Sequence, residues 1–273
     1  MAVMTEKRRT VDQSSTTSRP TVIAIANQKG GCGKTTTTLA LGSALAERGH
    51  QVLMVDLDPQ NALTRGVGLD PGRLGLTTRD VLYDGHPLAD AAVEGSSPNV
   101  WIVPANLRMV RADLELSAMR GGDVRLREAT AALTGFDYVL IDCPPSLGAL
   151  TGNALAAARY LIVPVDSEPW ALDTIDQLFE QADEIRRYVN RGLRLLGVLL
   201  TRYRTRGAAS QQVADMARER WAEELFTTTI RDSTKAVEAA IAACDIIRWA
   251  PRSPLAQDYR ALAAEVETRV DAI

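Results

Sequence analysis

The sequence predicts an α/β fold, a mostly parallel, doubly wound sheet with helices on both faces, and three observations carry that expectation. Short runs of Val, Ile and Leu are apolar throughout rather than alternating, as strands covered on both faces must be. Longer stretches of helical composition separate them, the order expected of parallel strands joined by crossover helices. A glycine-rich loop joins the first such strand to the first such helix, at the carboxyl edge where open α/β sheets bind ligands.

Residues 1–20 are polar, rich in Ser and Thr, and carry Lys7, Arg8 and Arg9 before Pro20, so a flexible tail is expected there. One domain is expected over 21–273. TVIAIAN from Thr21 reads as the first strand, TTTTLALGSALAERG from Thr35 as a helix, and QVLMVDLD from Gln51 as the second strand. The alternation returns with VWIVPA near 100, DYVLID at 137–142, YLIVPV at 160–165, LRLLGVLL at 193–200 and a short ELFTTTI at 224–230. Helices are expected in the intervals, including Trp170 to Tyr188.

At 273 residues, 46% hydrophobic and 24% charged, the chain has the composition of a globular protein with a sizeable core. No apolar run approaches the roughly 18 residues that cross a bilayer, and the first twenty residues lack the apolar stretch of a secretory signal, so a cytoplasmic protein is expected. Cys32, Cys143 and Cys244 have no metal-ligand spacing and read as free thiols. The formal charge of −3 is unevenly spread. Thirteen Arg or Lys against seven Asp or Glu between Arg186 and Arg252 give a local +6, which permits a basic face on an acidic protein.

The loop after the first strand reads Gln28-Lys29-Gly30-Gly31-Cys32-Gly33-Lys34-Thr35-Thr36. Three glycines in four positions let successive N–H groups curl around an anion, and the helix that follows adds its dipole. In a phosphate loop Lys34 reaches the β and γ phosphates and the Thr35 hydroxyl ligates magnesium. The general pattern places glycine where this chain has Gln28, and the chain carries a second lysine, Lys29, at the head of the loop.

Two acidic clusters follow. Asp56 and Asp58 end the second strand two residues apart, on one face, where a carboxylate positions water or supports a magnesium shell. Asp142 ends the apolar run Tyr138–Ile141 and is the Walker B candidate for magnesium. Asp142-Cys143-Pro144-Pro145 then forms a loop stiffened by two prolines.

KGGCGKTT resembles the deviant Walker A motif shared by ParA, MinD and nitrogenase iron proteins, and DLDPQ and DCPPSLG resemble the ParA patterns, together spanning about residues 21–268. The resemblance implies an ATPase using ATP and Mg2+, with Lys29 crossing a dimer interface to the partner subunit's phosphates, Asp58 preparing the attacking water and Asp56 supporting the metal. It further implies a homodimer on ATP binding, non-specific double-stranded DNA as cargo track, nucleoid association, a ParB-like centromere-binding partner that stimulates a weak basal activity, and no membrane. DNA contacts are expected from Arg202, Arg204, Arg206, Arg231 and Lys235, whose phosphate contacts are sequence-independent and salt-sensitive. The segment before Thr21 is too short for a helix-turn-helix domain, so the small type is expected.

Three alternatives follow from the same motifs. A MinD-like membrane protein ends in a basic amphipathic helix, whereas Glu265, Glu267 and Asp271 outweigh Arg269 here. An iron-protein reductase needs two exposed cysteines, whereas Cys32 and Cys143 lie inside the nucleotide motifs. An ATPase that positions a protein cluster instead of DNA shares the loop, and the basic half of the chain argues for DNA.

Overall fold

The computed structural model describes residues 19–167, 175–204 and 207–272. Along the chain run β1 (Thr21–Ile25), α1 (Lys34–Glu47), β2 (Val52–Asp56), α2 (Ala62–Gly66), α3 (Thr78–Asp84), α4 (Leu88–Ala91), β3 (Val93–Glu94), β4 (Val100–Val103) and a 3-10 turn (Leu107–Met109). Then come α5 (Ala112–Ala118), α6 (Arg125–Ala131), β5 (Tyr138–Asp142), α7 (Ala149–Ala157), β6 (Tyr160–Asp166), α8 (Ile175–Tyr188) and β7 (Arg194–Thr201). The chain closes with α9 (Ala208–Trp221), α10 (Thr234–Ile241), α11 (Ile246–Trp249) and α12 (Pro254–Ala272).

The strands form one sheet in the order β3-β4-β2-β5-β1-β6-β7. Every pairing is parallel except β3 with β4. Successive side chains of a strand point to opposite faces, so Val22, Ala24 and Ala26 enter one core layer and Ile23 and Ile25 the other. The first layer is closed by helices such as α7 and α8 through Leu150, Leu155, Ile175 and Leu178. The second is closed by α1 and α12 through Leu41, Leu45, Tyr259, Leu262 and Val266. Apolar layers on both sides are why β2, β5 and β6 read as unbroken hydrophobic runs.

α1 is buried nearly all round, from Thr37 to Ala46, because the sheet lies on one side of it and α12 on another. That burial fixes the axis along which the glycine-rich loop points. Register completes the arrangement: Ile25 pairs with Asp142, and Asp142 pairs with Asp56, so the loop and both strand-end carboxylates meet at one edge.

Two expectations need correction. ELFTTTI forms no continuous strand; residues 225–231 follow β7 through the isolated bridges Val198↔Leu225 and Tyr203↔Arg231, with the Phe226 amide donating to the Val198 carbonyl at 2.9 Å and the Ile230 amide to the Leu200 carbonyl at 2.8 Å. Between those contacts the amides of Thr227 and Thr228 donate to the Glu265 carboxylate of α12, at 2.8 and 2.9 Å, which interrupts the ladder. The helix expected from Trp170 is described from Ile175, and residues 170–174 lie outside the described residues, as do residues 1–18 with Lys7, Arg8 and Arg9. The two-residue antiparallel strand β3 was not expected, being too short to carry a period.

Candidate functional site

The loop between β1 and α1 curls because Gly31 and Gly33 adopt φ of 78° and 89°, a left-handed conformation that glycine takes without strain. Its walls are tied down from both sides. Asn27 donates to the Pro164 carbonyl at 2.7 Å and accepts from the Lys29 amide at 2.9 Å. The buried Thr201 hydroxyl, at the end of β7, donates to the Cys32 carbonyl at 2.7 Å. The Lys34 ammonium folds back across the loop to the Lys29 carbonyl at 2.9 Å. The amides of Gly30, Gly31 and Gly33 donate to no acceptor among the described residues, and Gly30 and Gly31 are exposed. Open amides, a helix N-terminus and a lysine form a cradle for an anion of several oxygens.

The carboxylates below the loop are fully buried. Asp56 accepts from the Thr64 amide and hydroxyl at 2.9 and 2.6 Å and from the Asp58 amide at 3.1 Å. Burial outweighs these bonds and pushes its pKa up to about 7. Burial also pushes Asp142 well above the usual carboxylate range, with the charge of Asp56 adding to the effect, while a contact from the Thr35 hydroxyl and the charge of Lys34 pull it back. Thr38 donates to Asp142 Oδ1 at 3.4 Å, and Oδ2 is buried without a partner. Two adjacent carboxyls of raised proton affinity, one with an orphaned oxygen beside a threonine hydroxyl, suit a hard cation. Thr35, Asp142 and, behind them, Asp56 therefore fit magnesium.

Asp58 is half-buried at the mouth of the edge, its Oδ1 accepting from the Gln60 amide at 2.9 Å. Thr36 stands half-buried on the first turn of α1. Cys32 is buried in the loop and Cys143 behind the Asp142 strand end, and burial raises both thiols, so neither is poised to react or ligate.

Sequence reasoning missed Asp166. Its carboxylate, at the end of β6, lies 2.8 Å from the Lys29 ammonium, with the two side chains 2% and 24% exposed. The signal was present: an Asp closes the apolar run YLIVPVD as Asp56 and Asp142 close theirs. Thr64, Thr38 and Thr201 were missed too, because isolated threonines carry no spacing that reveals which carboxylate or carbonyl they reach.

Four of the five expected DNA contacts fall within the described residues; Arg206 does not. Tyr203 bridges to Arg231, which brings the two segments together. Each cation there has a carboxylate: Arg204 binds Asp232 at 2.7 Å with Arg202 3.9 Å from the same residue, Arg231 grips Asp258 at 2.7 and 2.8 Å, and Lys235 reaches Glu238 at 2.7 Å. Four cations thus face three carboxylates. No described helix is long and apolar enough to cross a membrane.

A family model described as an AAA domain matches residues 20–195. The chromosome-partitioning ATPase Soj of Thermus thermophilus is 43% identical over 250 residues, covering 91% of this chain and 96% of the relative. The chromosome partitioning protein ParA of Caulobacter vibrioides is 38% identical over 251 residues, covering 91% and 94%. Among solved structures, one described as cobyrinic acid a,c-diamide synthase from Mycobacterium smegmatis, with bound ATP analog and magnesium, superposes with a TM-score of 0.82 at 34% identity, covering 93% of this chain and 96% of that one.

Proposed function

The chain belongs to the ParA/Soj family of P-loop ATPases, and from that premise we propose that it partitions DNA by an ATP-gated cycle of dimerisation and release. It is an ATPase that uses ATP with magnesium. In the proposed assignment the amides of Gly30 to Gly33 and the first turn of α1, with Thr35 and Thr36, cradle the phosphates, and Lys34 neutralises the β and γ oxygens. Thr35 and Asp142 hold magnesium, with Asp56 behind them. The metal, when bound, withdraws charge from the bridging oxygens. Asp58, at the mouth of the site, orients the attacking water.

Lys29 carries the reading. Phosphate binding in a single subunit is served by Lys34, yet a second ammonium stands at the loop mouth, ion-paired to Asp166 and still partly exposed. A cation there can reach across to the phosphates of a second subunit and stabilise charge that develops during transfer, as an arginine finger does. ATP then makes the dimer and hydrolysis dissolves it. Paired basic segments around Arg202, Arg204, Arg206, Arg231 and Lys235 hold duplex DNA, and a ParB-like protein stimulates hydrolysis.

The test is binding to non-specific duplex DNA with ATP, with ADP and without nucleotide, at two salt concentrations, alongside Lys29→Ala. Binding that needs ATP, weakens with salt and vanishes in the variant supports the cycle. Binding indifferent to nucleotide, or none, removes DNA from it and leaves the ATPase.

A further inference from the structure

The amino edge of the sheet, opposite the phosphate loop, holds a second concentration of positive charge. β1, β6 and β7 begin there, so at about 3.3 Å per residue it lies roughly 20 Å from the loop. A groove of about 450 Å3 opens on this edge, lined by Arg19, Arg127 and Arg159 and, among the described residues, by no carboxylate. The Arg194 amide donates to the Arg159 carbonyl at 2.9 Å, and the Arg127 guanidinium donates to the Val189 carbonyl at 2.8 Å. Those bonds bring the end of α8, with Arg187 and Arg191, to the same edge.

All six arginines are exposed, and none makes an ion pair among the described residues, whereas Arg186 beside them is held by Asp183 at 2.9 Å. Nearby carboxylates are engaged elsewhere: Asp137 accepts from the Gln51 amide, and Glu267 takes Arg48 and His50. Three charges are subtracted from six, by Asp271 next to the groove-lining Val270, by Asp137, whose amide donor leaves its charge in place, and by the exposed Glu184 one turn before Arg187 on α8, so the edge stays positive. Tyr188 stands 76% exposed among them with the Arg187 guanidinium over its ring at 5.8 Å.

We propose that this edge is a second contact surface for the phosphate backbone of nucleic acid, duplex DNA in the setting proposed above. Guanidinium groups pair bidentately with phosphate, and an exposed ring among arginines packs against sugar or base. Unlike Arg204, Arg231 and Lys235, these arginines give up no carboxylate partner on taking a phosphate. A lipid surface fits less well, because Tyr188 is the sole large exposed apolar side chain here among the described residues and interfacial seating needs a broad apolar face.

The choice of DNA as occupant rests on the proposed function; the charge arrangement does not. The test measures binding of the full chain to a duplex of arbitrary sequence across a salt series, with and without ATP, for wild type and for the triple variant Arg127→Gln, Arg159→Gln, Arg194→Gln, whose unstimulated ATPase rate reports intact folding. The expected result is at least tenfold weaker binding and a log–log salt slope shallower by about 2 to 3, near 0.9 for each phosphate no longer neutralised, with the ATPase rate unchanged. Unaltered affinity and slope overturn the inference, and if wild-type binding still needs ATP and Lys29 the proposed cycle survives that failure. Loss of binding to phosphatidylserine vesicles with DNA binding intact overturns it in favour of a membrane, and a wild type that binds no DNA overturns both readings.

Discussion

The Lys29 ammonium is held 2.8 Å from the Asp166 carboxylate, at the end of the strand that flanks β1, so the lysine proposed to act on a second subunit is paired within its own. Reaching across must break this contact in both subunits. A partly exposed ion pair contributes about 0 to 1 kcal/mol, and two of them bear on each dimer. Asp166→Asn is therefore expected to lower the protein concentration needed for the ATP-bound dimer up to about thirtyfold, read by sedimentation with a non-hydrolysable analogue. A dimer that instead weakens would mean that Asp166 aims Lys29 outward.

In the proposed assignment Asp58 separates hydrolysis from binding. Its carboxylate stands at the mouth of the edge, whereas Asp56 and Asp142 are fully buried. Asp58→Ala is expected to reduce turnover by about 10² or more, the size of a positioned general base, while nucleotide affinity stays within a few-fold of wild type. Equal losses in affinity and turnover would place Asp58 in the metal shell instead.

The buried pair makes stability without nucleotide depend on pH, and the sign follows from the raised values. Asp56, at about 7 when folded, lies above its unfolded value near 3.9. Between those values the folded state binds more protons than the unfolded one, so stability falls as pH rises through that window. The melting temperature without magnesium and nucleotide is expected to fall between pH 5 and 7.5, and to fall less in Asp142→Asn, which removes one of the two charges. Parallel profiles for the two proteins would refute this account. The same variant is expected to lose magnesium-dependent nucleotide binding, so stability and function move in opposite directions.

Much of this edge was legible because its signals are local. Lys34 and Thr35 follow a glycine run at a strand-helix junction, and Asp56 and Asp142 close apolar strands, so residue type and neighbours suffice. Asp166 and Thr201 were not, although they hold the loop from β6 and β7, because their partners lie 137 and 169 residues away. The pairing of Arg204 with Asp232 and of Arg231 with Asp258 was hidden for the same reason, and counting charges along the chain overstated the field of that face. ELFTTTI misled because β-branched residues favour a strand only where a ladder is available.

That last segment carries its own prediction. Glu265 on α12 accepts from the Thr227 and Thr228 amides and from Arg269, whose guanidinium also donates to the Leu225 carbonyl at 2.6 Å and covers Phe226 at 4.3 Å from the ring centre. Burial alone pushes the Glu265 carboxyl up, but the two amides and Arg269 outweigh it and hold its pKa below the usual range. A depressed carboxyl contributes stability above its unfolded pKa, near 4.3, and loses it as pH falls through the folded value. Glu265→Ala leaves two amides without their charged acceptor, so a loss of roughly 1 to 3 kcal/mol is expected at pH 7, shrinking below about pH 4 in denaturant titrations. Because this clamp sets the course of the chain into Arg231, the variant should also loosen the DNA binding proposed for that segment. A destabilisation that persists unchanged at pH 3.5 would assign the effect to packing of the Glu265 stem rather than to its charge.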